Sequence, residues 1–247
     1  MEILGIDSGS GIKGGIVETT SGQQISERHY LPTQTTSALN LITSTVYWMI
    51  KYFNWNRQAG CSFPTVVIDG TNYTNGNIGT EWLDIPIDIL FSQNCTGLTF
   101  FETNDADLAG ITEINLGAGR DKGKVMPLTI RTGLGTSVFY NGQFIPNIKL
   151  ARIFHMVGKF IELFDACATK NRENLSLREW AERFNYFLNH IKRIFSPGCF
   201  FIGGELSEKI DEFRHNLTVD VEIKTAHFKN DAGIIGSAIF VQQQLSK

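Results

Sequence analysis

The segment LGIDSGSGIKGGIV, residues 4–17, is the most informative structural pattern in the sequence. An apolar strand ends at Asp7, a glycine-serine turn follows, and a second apolar strand begins at Ile12. Glycine lets a backbone approach a phosphate and adopt positive φ, and successive N–H groups in such a turn form a concave anion site. Asp7 could then hold a hydrated divalent cation. The pattern indicates either a phosphate-binding hairpin or an ordinary Gly/Ser hairpin with an exposed aspartate.

Composition narrows the class of protein. The 247 residues suit one large domain or two small ones. A net charge of −3 gives no electrostatic reason to expect nucleic acid or an acidic membrane as partner. The four cysteines are widely spaced, which argues against a zinc site or a disulfide scaffold. No run of about 18 apolar residues exists, and a strand begins directly at the N-terminus, so we expect a cytoplasmic protein without a signal peptide.

Helical and strand patterns alternate along the chain, which is typical of an α/β fold. The patterns predict helices over residues 37–53, 105–114, 150–169, 176–194 and 232–244. They predict strands over residues 3–7, 12–18, 23–29, 66–68, 98–101, 125–132, 136–140, 200–202 and 219–223. The second hairpin, over residues 125–140, echoes the first about 120 residues later.

Four further blocks follow the first hairpin in a fixed order: NDADLAG at 104–110, TIRTGLGTS at 129–137, FFIGGELS at 200–207 and NDAGIIGSA at 230–238. With these five blocks the chain resembles the repressor/ORF/kinase (ROK) family of sugar kinases. Within that family it is most similar to the polyphosphate glucokinases.

This resemblance implies a two-lobed actin-like ATPase fold of the ribonuclease H-like type. We expect an N-terminal lobe over residues 1–108, on which a C-terminal helix over 231–247 packs back, and a C-terminal lobe over 109–230. It also implies transfer of a phosphoryl group from ATP or polyphosphate to a sugar hydroxyl, with Mg²⁺ as cofactor. The expected partner is a small sugar or sugar derivative, and the family suggests a homodimer.

Phosphoryl transfer depends on positioning and charge stabilisation more than on covalent chemistry. The first hairpin would hold the donor and its cation, with Asp7 binding Mg²⁺ through water. The second hairpin would supply an opposing phosphate cradle, and the two glycines that end a later strand would let the backbone approach the donor. The expected donor-binding residues are Asp7, Gly9, Ser10, Gly11, Lys13, Thr132, Gly133, Gly135, Gly203 and Gly204.

The resemblance makes Asp105 the general base that takes the proton from a sugar hydroxyl, and Asn104 a sugar ligand beside it. Both residue types also favour helix N-caps, so a capping role is the alternative, and the two roles are compatible. Asn77 matches a sugar-binding asparagine of the family and is followed five residues later by Trp82. Its alternative is a turn position in a polar loop.

Two departures from the family pattern concern the acceptor site. The family carries a glutamate and a histidine that bind sugar hydroxyls, where this chain has Lys149 and Arg152. Both replacements are hydrogen-bond donors only, so they cannot accept from a sugar O–H. In addition, Arg131 stands where the family has glycine. Glucose is therefore expected to be a poor acceptor, or none.

Two interpretations stay open. One is a kinase with a different acceptor, such as an anionic one, for which the cations at 149, 152, 131 and 120–124 would form a basic cleft. Those at 120–124 are better explained as solvated surface. The other is a degenerate homologue that binds a sugar or phosphate without turnover. A transcriptional repressor of the family is disfavoured, since no helix-turn-helix pattern precedes the first strand.

Overall fold

The chain forms two compact units. The computed structural model describes residues 1–8, 11–32, 38–74, 78–117, 119, 122–131, 133–153 and 167–247. The first unit contains Met1–Thr112 and Asp231–Lys247, and the second contains Glu113–Asn230. The division falls within one helix, Asp105–Asn115.

The first unit is built on a six-stranded sheet. Its strands are β1 (Glu2–Ser8), β2 (Ile12–Glu18), β3 (Gln23–Gln24), β4 (His29–Leu31), β5 (Ala59–Phe63) and β8 (Phe100–Asn104). The strand order is β3-β2-β1-β5-β8, and β4 also pairs with β2. β1 runs antiparallel to β2 but parallel to β5, and β5 runs parallel to β8. The carboxyl ends of β1, β5 and β8 therefore meet at one edge. A separate hairpin joins β6 (Val67–Ile68) to β7 (Thr71–Asn72).

The described α-helices that belong to the first unit or begin in it are α1 (Leu39–Tyr52), α2 (Ile87–Asn94), α3 (Asp105–Asn115) and α7 (Ala232–Leu245). One face of the sheet packs on α1 and α2 around a core that includes Ile6, Val46, Phe63 and Phe91. The other face carries α7 at very short range. A Cβ on Gly5 would lie 2.0 Å from the carbonyl oxygen of Ile234, so only glycine permits this approach.

The second unit has its own six-stranded sheet. Its strands are β9 (Lys124–Ile130), β10 (Leu134–Thr136), β11 (Val138–Tyr140), β12 (Gln143–Ile145), β13 (Cys199–Gly204) and β14 (Glu222–Thr225). The strand order is β12-β11-β9-β13-β14, and β10 also pairs with β9. β9, β13 and β14 are parallel to one another, so their carboxyl ends also share an edge.

The described helices of the second unit are α4 (Cys167–Arg172), α5 (Leu177–Phe195) and α6 (Ile210–Phe213). α5 begins at a capping box, in which Ser176 and Glu179 each satisfy the other's backbone N–H. Its apolar residues recur at helical spacing, and Trp180, Phe184 and Phe187 are buried in the core against the sheet. This core supports the strands whose ends carry the second set of expected site residues.

Several predicted elements differ from the structure. The helix expected over 150–169 does not begin at 150, because Leu150–Arg152 form a single 3-10 turn and Ile153 is extended; residues 154–166 lie outside the described residues. The strand expected over 219–223 is β14, displaced to Glu222–Thr225. The pattern also missed β5 and α2 altogether. Residue 37, the expected start of the first helix, lies outside the described residues, and α1 follows Ala38 without a side-chain cap.

Within the described residues, no helix is long and apolar enough to cross a membrane.

Candidate active site

Asp7 lies at the carboxyl end of β1 and is only 2% exposed. Its Oδ1 accepts a hydrogen bond of 2.7 Å from the hydroxyl of Ser62. Its Oδ2 accepts no hydrogen bond from the described residues, and Nζ of Lys13 lies 3.8 Å away. A Cβ on Gly233, at the start of α7, would lie 2.6 Å from Cγ of Asp7. The carboxylate is thus held between β5 and α7, and its second oxygen is buried beside the ammonium group of Lys13.

The first hairpin brings Lys13 opposite Asp7, since the two residues are paired across β1 and β2. Gly11 is buried beneath Tyr30 of β4, and a Cβ there would lie 2.4 Å from the phenol ring. Gly9 and Ser10, the other expected phosphate-binding residues of this turn, lie outside the described residues. Their roles stay predictions.

Strand register places Asp7 and Asp105 at the same edge of the sheet. Asp7 pairs with Ser62 across β1 and β5, and Ser62 pairs with Thr103 across β5 and β8. Neighbouring strands lie about 4.8 Å apart, so Asp7 and Thr103 are separated by about 10 Å. Asp105 follows Thr103 by two residues and opens α3.

Asn104 ends β8 and is buried. Its side-chain amide donates to the carbonyl of Thr65 at 3.0 Å, and its Oδ1 accepts from the N–H of Ala106 at 3.2 Å. These bonds cap α3 and secure the loop after β5. The capping role considered from the sequence is thus present, and the sugar-binding role stays a prediction.

Asp105 is half-buried. Its Oδ1 accepts a hydrogen bond of 2.8 Å from the N–H of Ala106. The N-terminus of a helix stabilises negative charge, so this position suits a carboxylate that must be ionised to accept a proton.

The second unit brings together the glycine turn after β9 and the two glycines that end β13. The turn after β9 lies beside the end of β13, because Gly204 pairs with Ile130 in the parallel ladder. Gly204 has φ of +89°, and a Cβ on it would lie 2.2 Å from the carbonyl oxygen of Ile130. Gly133 accepts from the N–H of Arg131 through its carbonyl at 2.9 Å, which closes the turn. Thr132 lies outside the described residues.

Glu113 holds in place the turn at His227 and Phe228, which lies next to Gly203. Its Oε1 accepts hydrogen bonds from the N–H groups of His227 and Phe228, at 2.7 and 2.9 Å. Burial raises the pKa of this carboxyl, although the two backbone bonds oppose the shift. Ala226, directly before this turn, is the neighbour that a Cβ on Gly203 would meet at 3.2 Å.

Lys149 precedes a 3-10 turn that ends at Arg152, and this turn is bonded to β10, the strand that contains Gly135. The hydroxyl of Thr136 accepts from the N–H of Leu150 at 2.9 Å. Lys149 is half-buried and Arg152 is exposed. The short segment that carries both cations is therefore hydrogen-bonded to β10, the strand that follows the second glycine turn.

Two cations of the segment at 120–124, which was expected to be solvated surface, have partners in the second unit. Nζ of Lys122 lies 3.1 Å from Oε2 of Glu222. Nζ of Lys124 donates to the carbonyl of Phe195 at 2.6 Å. Residue 120 and Asn77 lie outside the described residues.

Ser62 was missed by sequence reasoning, because β5 was not predicted. The available signal was AGCSF at 59–63, in which Gly60 and Ser62 share one face. Glu102 was missed as well. It lies on β8, is 6% exposed, and neither carboxylate oxygen has a hydrogen-bond partner among the described residues. Burial, with a smaller contribution from the charge of Asp88, raises its pKa well above the usual value.

A family profile described as the ROK family matches residues 3–151. Polyphosphate glucokinase of Mycobacterium tuberculosis (strain CDC 1551 / Oshkosh) is 32% identical over 238 residues, which cover 96% of this chain and 89% of that protein. The chain belongs to the ROK family. The resemblance inferred from the five sequence blocks is therefore confirmed.

Solved structures of ROK-family kinases share the fold. The inorganic polyphosphate/ATP-glucomannokinase of Arthrobacter sp. strain KM superposes with a TM-score of 0.92 at 30% identity, covering 98% of this chain and 99% of that one. A ROK family glucokinase from Streptomyces griseus, in complex with glucose and AMPPNP, gives a TM-score of 0.83 at 19% identity, covering 98% and 100%. The predicted α/β fold of the actin-like ATPase type is confirmed.

Proposed function

We propose that this ROK-family chain transfers a phosphoryl group from polyphosphate or ATP to a hydroxyl of a sugar or sugar derivative. The observation that carries the proposal is the placement of Asp7 and Asp105 at one edge of the first sheet. The backbone positions of Asp7 and Thr103 lie about 10 Å apart, two strand spacings, and Asp105 follows Thr103 by two residues, so a cation-binding carboxylate and a base at these positions leave room for the phosphoryl group and the acceptor hydroxyl. The glucokinase and glucomannokinase relatives support the same reaction class.

Mg²⁺ is the proposed cofactor, and Asp7 fits it. The buried Oδ2 accepts no hydrogen bond from the described residues, and Mg²⁺ prefers oxygen ligands while retaining several waters. Among the described residues no group of three or more His, Cys, Asp or Glu could enclose a metal. When bound, the cation would neutralise charge on the transferred group.

The remaining chemistry falls to side chains and backbone. Asp105 accepts the proton of the attacking hydroxyl as general base. Lys13 and the glycine turns position the donor phosphates through their N–H and ammonium groups. Asn104 and Asn77 are the proposed sugar ligands, of which Asn104 already uses its amide to bond the loop after β5.

The acceptor site is proposed to differ from that of a glucokinase. Lys149 and Arg152 supply positive charge on the turn beside β10, and cations bind phosphate or carboxylate strongly. An acidic or phosphorylated sugar is the acceptor class that this chemistry favours. The same two residues also support the second candidate function, a homologue that binds a sugar or phosphate without transferring it.

We further propose that the enzyme works in the cytoplasm as a homodimer and that neither nucleic acid nor a membrane is its partner. The support is the family resemblance and the mild net charge of −3.

A matrix of acceptors and donors tests the proposal. Neutral sugars, sugar acids and sugar phosphates are each incubated with ATP or polyphosphate, with and without Mg²⁺, and phosphorylated product is detected by mass spectrometry. We expect product with an anionic acceptor and Mg²⁺. Binding of an acceptor by calorimetry without product from any donor would favour the non-catalytic homologue.

A further inference from the structure

We propose that Ser62 is a positioning residue that orients the carboxylate of Asp7, so that Oδ2 is the oxygen left for the cation. This inference rests on the proposed function, because it concerns the same cation site. Ser62 belongs to none of the five blocks that define the resemblance. Its role follows from hydrogen bonds at the end of β5.

The hydrogen bonds around Ser62 fix the direction of its proton. The N–H of Ser8 donates to Oγ of Ser62 at 2.8 Å. Oγ of Ser62 donates to Oδ1 of Asp7 at 2.7 Å. A hydroxyl has one proton, and the approach of the Ser8 N–H from one side directs that proton to Asp7.

A second bond strengthens the same connection. The hydroxyl of Ser8 donates to the carbonyl oxygen of Ser62. The paired register of β1 and β5 ends at Asp7 and Ser62, so these side-chain bonds continue the connection one residue beyond the ladder. Asp7 is thereby fixed at the point where the chain leaves the sheet for the glycine turn.

Burial makes the hydroxyl of Ser62 difficult to replace by solvent. Ser62 is fully buried, and Gly233 closes the other side of the Asp7 carboxylate. Without the hydroxyl, Oδ1 would lose its donor and the N–H of Ser8 would lose its acceptor. Rotation of the carboxylate would then no longer be restricted by this bond, and the cation would bind a less ordered ligand.

Three variants test the inference. Ser62→Ala removes the hydroxyl, Ser62→Thr retains it, and Ser237→Ala is the matched control. Ser237 is also a fully buried serine in the layer between α7 and β1, and it bonds the carbonyls of Ile6 and Gly233 rather than the Asp7 carboxylate. Mn²⁺ serves as the probe, and its binding in the presence of AMPPNP or tripolyphosphate is followed by electron paramagnetic resonance.

We expect Ser62→Ala to weaken Mn²⁺ binding about 10- to 100-fold, which is usual for loss of a residue that supports a metal ligand. Ser62→Thr should stay close to wild type, as should Ser237→Ala. In turnover assays the Mg²⁺ concentration for half-maximal rate should rise for Ser62→Ala while the acceptor KM is unchanged. If Ser62→Ala does not fold, Ser62→Cys, a much weaker donor, takes its place.

The outcomes separate this inference from the proposed function. Unchanged Mn²⁺ binding by Ser62→Ala, or equal weakening by Ser237→Ala, would overturn the role of Ser62. A wild-type protein whose Mn²⁺ binding depends on Ser62 as expected but which phosphorylates no acceptor would overturn the proposed kinase activity and leave the positioning role intact. A wild-type protein that binds no Mn²⁺ would overturn the role of Ser62 together with the proposed cation site.

Discussion

Asp105 is the residue on which the proposed chemistry depends most. It follows β8 directly, and its carboxylate lies at the N-terminus of α3, where negative charge is stabilised. Because Asn104 already caps the helix through Ala106, the helix does not depend on Asp105 alone. This separation allows Asp105 to be changed without loss of the fold.

Asp105→Asn should lower kcat about 10²–10⁴-fold, since it removes the general base while keeping the size of the side chain. Acceptor affinity should change little. Initial-rate kinetics with the acceptor found in the screen, together with calorimetry, measure the two effects separately. A variant with wild-type kcat would exclude Asp105 as the base.

Glu102 gives a prediction about stability and pH. Burial raises its pKa above the usual 4.5, so the folded protein keeps this proton in a range where the unfolded chain has released it. The folded state therefore binds more protons, and the contribution of Glu102 to the free energy of unfolding falls as pH rises from 4.5 through the raised pKa. Glu102→Gln should remove this loss.

Thermal unfolding of Glu102→Gln and wild type across pH measures the effect. The two should have similar Tm at pH 4, and the variant should be more stable at pH 8. Glu182→Gln, at a residue whose side chain is 57% exposed, is the control and should show no such divergence. A Tm difference that does not grow with pH would refute the assignment of a buried neutral carboxyl.

Part of the site could be predicted at the scale of single residues. Asp7 was singled out because it ends a strand before a glycine-serine turn, and Gly204 because it is one of two glycines that end a strand; their roles stay predictions. Ser62 and Glu102 could not be identified, since a serine or glutamate in a short strand reveals neither its face nor its partner. Those depend on the pairing of β5 with β1 and β8.

At the scale of elements, the packing of α7 on β1 and β5 explains why small residues recur in these strands. A Cβ on Gly60 would lie 2.2 Å from the carbonyl oxygen of Ser237. The helix cannot yield at this point without moving off the sheet, and its first turn lies against Asp7. The position of α7 thus links stability to the cation site.

Gly60→Ala should lower the free energy of unfolding by at least about 2 kcal/mol, because overpacking against backbone atoms is poorly relieved. Gly198→Ala is the control, since its Cβ would meet the nearest atom at 3.3 Å. Denaturant titration of both variants measures how much each substitution lowers the free energy of unfolding. Equal stability of the two would show that α7 does not lie as close to β5 as described.

Long periodic elements were predictable and short ones were not. α5 was expected over 176–194 and is Leu177–Phe195, because its apolar spacing and the Ser176–Glu179 capping box agree. β5 was missed because Gly60, Cys61 and Ser62 are small and its strand signal is weak. The turn at Leu150–Arg152 was mistaken for the start of a helix, since Thr136 anchors it through a bond that no local pattern shows.

For the molecule as a whole, we expect Lys149 and Arg152 to make glucose a poor acceptor. Each replaces a group that would bind a sugar hydroxyl in the family pattern, and each lost hydrogen bond should cost about 1–3 kcal/mol. Lys149→Glu and Arg152→His together should therefore raise glucose affinity or turnover. Micromolar glucose binding by the unmodified protein, measured by calorimetry, would contradict this.

Family and fold could be predicted because five blocks in a fixed order leave few alternatives, although each block alone is weak. The meeting of Asp7, Asp105 and the loop at 132–135 in one cleft stays a prediction. Each unit brings its own strand ends together, and the acceptor depends on side chains that depart from the family pattern.

Phosphoryl transfer by the purified protein, followed by ³¹P nuclear magnetic resonance, is the most direct test of the proposed kinase activity. Wild type and Asp105→Asn are incubated with Mg²⁺, ATP or polyphosphate, and a mixture of neutral and acidic sugars. We predict a new phosphomonoester signal with wild type, formed at least about 100-fold more slowly with Asp105→Asn. No new signal from wild type, or equal rates for the two proteins, would contradict the account.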